Sequence, residues 1–467
     1  MNENEIMMFL GLDHADIESI EVYHDFDSLI VELSLNKKEH NCPLCSNPTS
    51  KIKGYQMKTI KHSVLNNVEC IIKYNARRYI CPICKTTFYE NNPFAYKGSS
   101  ISLATVSNVL EDLKNPSLTF TYIANKYHIS PSSVALIFDK HVDIPRRTLS
   151  ECLAFDETGA FHSKDSSFIC VLLDHDTKNI IDILPSRKKD DLIKYFEKIP
   201  KEERENVKYV SFDMYECYRS ISKKYFPSSR CIVDKFHVLQ ELSRKVTRVR
   251  INIMNDYKRT YDKLHNEALK LKEERRYLSP DKLELLKEAD ENYYLLKKFN
   301  WLLFTNKVLD PNQKKKMNHK LGRYLNYYDI YDLIINMDNR LKEAVELHDR
   351  VSRFYKKETI NTAKQEIEEL IIAFRTSNLK EMNEFANTLV RWKQEIINSF
   401  IVIPSINRKM TNALIENRNK SIKLIKHSSN GYQCWKRFRA RCLYCLNSDT
   451  TYHLNTDNNT KGGNNNA

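Results

Sequence analysis

The pattern of apolar positions changes character several times along the chain. Residues 20–23 and 29–33 alternate or run apolar, as strands do, and residues 68–74 repeat that signature. Residues 103–142 switch to helical spacing. Short apolar runs then return: 152–156, 167–174 and 180–184 each predict a strand, with a turn at Asp176-Thr177-Lys178-Asn179. An amphipathic helix is expected over 188–199, a buried strand over 207–213, a short helix over 217–225 and a further strand from Arg230. From Val238 to about Ile403 there are one glycine and two prolines, and apolar residues keep helical spacing, as in Leu341, Ala344, Val345 and His348. Helices are expected again at 412–427 and 435–441.

Three antiparallel strands, a helix, a strand, a helix and a strand form the order of a ribonuclease-H-like α/β domain. The 238–405 stretch reads as an all-α insertion of six to eight helices that interrupts it. In that order the first and fourth strands lie side by side, and each ends in an acid: Asp156 and Asp213. A carboxylate at the end of a buried strand points into a cleft or holds a cation, since burying it alone is costly. A third acid, Glu416, sits on a helix beyond the insertion. Together the three suit a pair of divalent cations for phosphoryl transfer. Any one of them alone is also readable as an ordinary surface acid among the 60 Asp and Glu. Glu157 and Asp234 are rival ligands, with Glu157 expected to point away from Asp156 by strand alternation.

Composition narrows the partners. The 74 Lys and Arg give a formal net charge of +14, which suits a polyanion, with nucleic acid first. No apolar run approaches the roughly 18 residues that span a bilayer, and the early acids leave no basic leader. A cytoplasmic setting is expected, and there the 12 cysteines stay reduced and CxxC pairs hold metal. The 8 glycines build neither GxGxxG nor GxxxxGK, which excludes dinucleotide and P-loop chemistry.

Cys42-Pro43-Leu44-Cys45 and Cys81-Pro82-Ile83-Cys84 supply four thiolates, enough for one closed, structural Zn²⁺ site. The spacer between them predicts a hairpin and is basic, with Arg77 and Arg78 among its candidate DNA phosphate contacts; a solvated basic face is the plainer reading. A third pair, Cys442 and Cys445, lies late in a helix and reads as core. Residues 120–138 fit a helix-turn-helix, with Ala124 small, Ile129 and Val134 apolar, Ser130 as cap and Pro131 at the first helical position. Ser132 and Ser133 would then face the major groove. His128 stands where the turn usually has glycine, and a plain helical hairpin is the alternative. Past Glu416, Lys420, Lys423 and Lys426 recur at helical spacing as further DNA contacts.

The paired knuckles, together with His62-Ser63-Val64-Leu65, Ala76-Arg77-Arg78-Tyr79, Thr87-Phe88-Tyr89-Glu90 and Asn92-Pro93-Phe94, resemble the zinc-finger head of bacterial insertion-sequence transposases of the ISL-three branch. Residues 211–216, Val233-Asp234-Lys235-Phe236-His237 and residues 412–416, with Asn419, Lys420, Ile422, Lys423, Lys426, Gly431, Tyr432, Phe438 and Arg439, resemble its catalytic domain. Asn417 departs from the glycine that many relatives have after the glutamate. The resemblance implies a DDE transposase whose triad is Asp156, Asp213 and Glu416, using Mg²⁺ or Mn²⁺. It implies terminal inverted repeats and target DNA as partners and a homo-oligomer assembled on DNA. A non-catalytic regulator derived from a transposase and a structure-selective nuclease are the other readings. The expected layout is a zinc module over 1–100, a helix-turn-helix over 101–147, catalytic segments over 148–237 and 406–448 around the insertion at 238–405, and a disordered tail over 449–467.

Overall fold

In a computed structural model of the chain, residues 7–8, 17–65, 67–161, 166–305, 307–429 and 431–454 are described. The first sheet has the order β1 (Ile17–Asp25), β2 (Ser28–Leu35), β6 (Glu69–Ile80), β5 (Ile52–Lys61), with β7 (Thr87–Tyr89) also on β6. β1 and β2 form a hairpin whose turn residue Phe26 takes a left-handed φ of 52°. β5 and β6 form the hairpin expected in the spacer. β6 alternates, burying Cys70, Ile72, Tyr74 and Ala76 over Val31, Leu33 and Ile60. A small hairpin, β3 (His40–Asn41) and β4 (Pro48–Thr49), carries the first knuckle at its tip; the second lies between β6 and β7.

Three helices follow: α1 (Leu103–Asp112), α2 (Phe120–Lys126) and α3 (Pro131–His141). The Ser130 hydroxyl accepts the Ser133 amide at 3.0 Å and caps α3, whose first residue is Pro131. His128 adopts φ 52° in the turn between α2 and α3, and the Ile129 amide closes that turn on the Ala124 carbonyl at 3.0 Å. Ala124 is fully buried, so the two helices approach closely.

The second sheet runs β10 (Ile180–Leu184), β9 (Ile169–Asp174), β8 (Cys152–Thr158), β11 (Tyr209–Phe212), β12 (Arg230–Val233). β8, β9 and β10 are an antiparallel meander; β11 lies parallel to β8 and β12 parallel to β11. Its strands are buried on both faces. On one side Phe155 packs with Phe196, Tyr218 and Phe226 from α4 (Lys189–Glu197), α6 (Glu216–Tyr225) and the residue after α6; the short α5 (Lys201–Glu205) precedes β11. On the other side Ala154, Ile169 and Val171 meet Ile415, Ile422 and Phe438 from α13 (Ala413–Ser428) and α14 (Trp435–Leu446).

Between β12 and α13, among the described residues, stand six α-helices, α7 (Lys235–Glu273), α8 (Pro280–Lys298), α9 (Tyr327–Asn336), α10 (Asn339–Lys357), α11 (Ile360–Arg375) and α12 (Lys380–Asn398), and a short 3-10 helix over Asn300–Phe304. The 39 residues of α7 extend about 58 Å. The segment departs from the all-α expectation at one place. β13 (Lys316–Asn318) and β14 (Arg323–Leu325) pair as a hairpin, because the run from Lys314 to Arg323 lacks helical apolar spacing and Gly322 supplies a left-handed turn at φ 67°. The helices are not a separate body either. α7 begins at Lys235, so the expected 237/238 boundary falls within a helix, and the core on the α4–α6 side of the sheet continues through Val238, Leu242, Phe385 and Trp392.

Two further expectations change. Residues 449–454 are not loose: Asp449 pairs with Arg147, the Tyr452 hydroxyl meets Ser107 at 2.8 Å, and His453 and His141 exchange backbone and ring hydrogen bonds. The rest of the expected disordered tail, 455–467, lies outside the described residues. α14 also ties the three-helix unit down: buried Arg441 donates to the Asn115 and Leu118 carbonyls, and Tyr444 to that of Leu110. Cys442 is buried in the core between α14 and the second sheet, as expected, and Cys445 donates to the Leu113 carbonyl. Among the described residues no helix is long and apolar enough to cross a membrane.

Candidate active site and metal centre

The two knuckles are congruent. Each first cysteine's carbonyl accepts the amide four residues on, from Ser46 at 2.8 Å and from Lys85 at 3.1 Å, and those two residues share left-handed φ values of 57° and 60°. The turns aim all four thiols at one point. Cys42 and Cys84 Sγ are 3.4 Å apart, and Cys45 Sγ is 3.5 Å from those of Cys81 and Cys84. All four sulfurs lie within 4.8 Å of one another. Tetrahedral zinc with Zn–S bonds of about 2.3 Å needs sulfurs about 3.8 Å apart, so the set fits one Zn²⁺. Hydrogen bonds from the Thr86 side chain and backbone pull Cys84 down to about 6 and those from Asn47 lower Cys45, which favours the thiolate at these two positions, whereas burial and the neighbouring sulfurs raise Cys81 to about 11. With four sulfurs and no open position, such a site is structural.

The second centre lies at one end of the second sheet. Ser211 on β11 pairs in register with Ala154 on β8. Two residues further along the chain come Asp156, still in β8, and Asp213, just past the end of β11, and the Asp213 charge acts on Asp156. Burial, followed by the like charges of Glu157, Asp213 and Glu416, pushes the Asp156 carboxyl up to about 7, although the Glu157 amide donates to its Oδ1 at 2.8 Å. Burial and then the Glu157 charge push Asp213 up to about 7, against the pull of Arg187. Buried Oδ1 of Asp213 and Oε2 of Glu157 have no hydrogen-bond partner among the described residues. Negative charge is thus gathered here beyond what the protein's own donors satisfy, and the donor set is all oxygen, which fits a hard divalent cation.

Glu416 stands in the first turn of α13, within charge range of Asp156 and 3.9 Å from His237 Nε2. The carboxylates do not close on each other as the thiols do: among the described residues only the four cysteines have all ligand atoms within 4.8 Å. α13 is set by a buried network. Asp234 caps α7 through Oδ1 on the Phe236 amide at 2.7 Å, while its Oδ2 accepts the Asn412 amide at 2.5 Å. Asn412 Oδ1 accepts the Ser211 hydroxyl at 3.1 Å. One turn past Glu416, Asn419 donates to Asp156 Oδ2 at 2.8 Å.

Glu157 occupies the other face of β8, as alternation requires, yet its charge still reaches both aspartates at the strand end. Its Oε1 is held by Arg187 at 2.5 Å, and the guanidinium lies over Phe168 at 4.4 Å and Tyr215 at 5.1 Å. Nothing in the sequence pattern singled out Arg187; a lone arginine after a strand gains its meaning only from what the fold sets beside it. Asp234 has each of its oxygens on a backbone amide, one at the start of α7 and one just before α13, so it supports both helix starts.

Among the residues expected on DNA, Arg77 is corrected. Its guanidinium donates to the Leu35 and Asn36 carbonyls at 2.6 and 3.1 Å and meets Glu90, so it locks β6 to β2. Arg78 is exposed, beside Tyr89. Ser132 is exposed at the start of α3, and the Ser133 hydroxyl bonds that of Ser130. Lys420 and Lys423 are exposed on the side of α13 that carries Glu416, and half-buried Lys426 donates to the Gly159 carbonyl.

A family model described as the ISL3 DDE transposase matches residues 153–442, and one described as the zinc finger of transposases IS204, IS1001, IS1096 and IS1165 matches residues 38–84. The transposase for insertion sequence element IS1001 of Bordetella parapertussis is 22% identical over 285 residues, 61% of this chain and 58% of that protein. The matched stretch therefore spans less than two thirds of that relative. Because the transposase match alone runs from β8 to α14, more than half of the sequence, the chain belongs to the ISL3 transposase family.

Proposed function

We propose that this protein cuts and joins DNA at the ends of an insertion sequence, with Asp156, Asp213 and Glu416 as the ligand set for Mg²⁺ or Mn²⁺. The observation that carries the reading is the pair Asp156, near the end of β8, and Asp213, just past the parallel strand β11, both raised to about 7, with the Asp213 and Glu416 charges acting on the first. The strand order β10-β9-β8-β11-β12 supports a ribonuclease-H-like domain split by the mostly helical segment over 238–405.

A divalent cation held there supplies Lewis acidity and offsets charge on the reacting phosphate. The chain's own residues prepare that place. Asn419 fixes the orientation of the Asp156 carboxylate. Asp234 and Asn412 fix the start of α13 and so the position of Glu416. Arg187 retains Glu157 at the wall. Cleavage exchanges a P–O bond to the departing 3′-oxygen for one to water oxygen. Joining exchanges a P–O bond of the target for one to the freed 3′-hydroxyl. Neither step needs a covalent protein–DNA intermediate.

The zinc module, 1–100, and a helix-turn-helix over 101–147 serve as the reader of the terminal repeats. Arg78, Ser132 and Ser133 contact those repeats, and Lys420, Lys423 and Lys426 approach DNA near Glu416. Purified protein with Mg²⁺ and DNA carrying the cognate terminal repeats tests this. Cutting with joining supports it; cutting alone indicates a nuclease, and binding alone a regulator.

A further inference from the structure

The connection between α8 and α9 carries a feature the cleavage chemistry does not use. From Gln313 to Tyr324 the chain has Lys314, Lys315, Lys316, Lys320 and Arg323 and no acid. Three of these are compensated from neighbouring helices: Lys315 by Asp329 at 3.0 Å, Lys320 by Asp290 at 2.5 Å and Arg323 by Glu291 at 3.7 Å. Lys314 and Lys316 are exposed and have no acidic partner among the described residues.

Around this charge the surface is aromatic. Tyr324 on β14 is 67% exposed, and Trp301 and Tyr327, which meet edge to face at 5.1 Å, are 47% and 44% exposed. Exposed rings of this size cost hydration free energy unless something covers them. Beside them a cavity of about 550 Å³ is bounded by Lys314, Lys316, His319, Tyr294, Phe299 and Tyr327. That volume falls within the roughly 300–1,000 Å³ typical of pockets for small organic groups.

We propose that the β13–β14 hairpin and this cavity bind single-stranded DNA, with the lysines on phosphates and the rings stacked on unpaired bases. Phosphates alone would satisfy the lysines in duplex or single-stranded form. The rings decide between them: a duplex hides its base faces in the stack, whereas unpaired bases present them. The proposal rests on the DNA-processing reading above.

The test is fluorescence anisotropy of the full-length protein with a labelled 15-nucleotide oligothymidylate, alongside a blunt duplex. Two variants alter only exposed side chains: Lys314→Gln with Lys316→Gln, and Tyr324→Ala. The double variant is expected to lose about tenfold in affinity for the oligonucleotide, with the slope of log affinity against log salt falling by roughly 1.4. Tyr324→Ala is expected to lose about fivefold or more. Duplex affinity should stay within about twofold in Tyr324→Ala, and in the double variant it should fall clearly less than affinity for the oligonucleotide. The proposal is overturned if the wild-type chain does not bind the oligonucleotide. It is also overturned if both variants bind it as the wild type does, or if duplex and single-strand affinities fall in equal proportion. A chain that binds the oligonucleotide through the hairpin yet never cuts DNA would leave this site standing and remove the transposase chemistry instead.

Discussion

Asn419 on α13 donates its side-chain amide to Asp156 Oδ2 at 2.8 Å, joining the helix that carries Glu416 to the strand that carries the first aspartate. The two residues are 263 positions apart. Their bond makes the position of Glu416 depend on the same carboxylate that it would assist. Asn419→Ala should therefore lower metal-dependent cleavage by about tenfold, the equivalent of one hydrogen bond to a charged group. DNA binding, measured by gel shift, should not change. Full cleavage by the alanine variant would show that the bond is incidental.

The raised carboxyls make stability depend on pH. Asp156 and Asp213 sit at about 7 in the folded chain, against about 3.9 when unfolded. Folded-state values lie above unfolded ones, so between roughly pH 4 and 7 the folded chain holds more protons, and stability falls as pH rises through that window. Partial exposure limits the effect to about 1–2 kcal/mol per aspartate. Without divalent metal, the melting temperature should fall from pH 5 to pH 8 in the wild type. It should fall less in Asp156→Asn and Asp213→Asn, and Mg²⁺ at pH 8 should restore the wild type. Equal slopes in all three proteins would refute the crowding of charge.

One zinc per chain is expected on metal analysis, lost in Cys81→Ser. The module has a small sheet core, and structural zinc sites contribute folding free energy outright. Chelation should thus unfold residues 1–100 and weaken binding to terminal repeats. Mg²⁺-dependent cutting of DNA, assayed at protein concentrations high enough to offset weaker binding, should persist, because the thiol cluster and the carboxylates are separate centres. Loss of all cutting on chelator-specific zinc removal, with Mg²⁺ kept in excess, would contradict this.

Asp234→Asn should be a mixed defect. Each of its oxygens accepts a backbone amide, one at the α7 cap and one on buried Asn412. The amide leaves one oxygen to do both, at a cost of about 1–3 kcal/mol. Urea unfolding should register that loss, and strand transfer should fall partially, by about tenfold. A complete loss of activity with unchanged stability would make Asp234 a ligand instead.

Much of the second sheet was legible in the sequence because its strands are short apolar runs between turn residues, and the acids end two of them. The zinc site was legible because CxxC spacing is a local property. What escaped depends on distant neighbours. Arg77 reads as a phosphate contact from its charge alone, but two carbonyls at the end of β2 claim it. The β13–β14 hairpin escaped because Lys316-Met317-Asn318 has no strand-like alternation against a core; its pairing rests on the Gly322 turn. Residues 449–454 are polar, as a loose tail is, yet Tyr452 and His453 find partners on α1 and α3. Arg187 became visible only once Glu157, Phe168 and Tyr215 were placed around it.

The central claim is that Asp156, Asp213 and Glu416 act as one unit, and in vitro strand transfer with terminal-repeat DNA and Mg²⁺ addresses it most directly. Asp156→Asn, Asp213→Asn and Glu416→Gln keep side-chain size and remove the charge that holds a hard cation. Each should lose roughly a thousandfold or more, nearly as much as the triple variant, while gel-shift binding is spared. Glu157→Gln, whose carboxylate is tied to Arg187, should lose far less. A Glu416→Gln protein that joins strands at the wild-type rate would contradict the account.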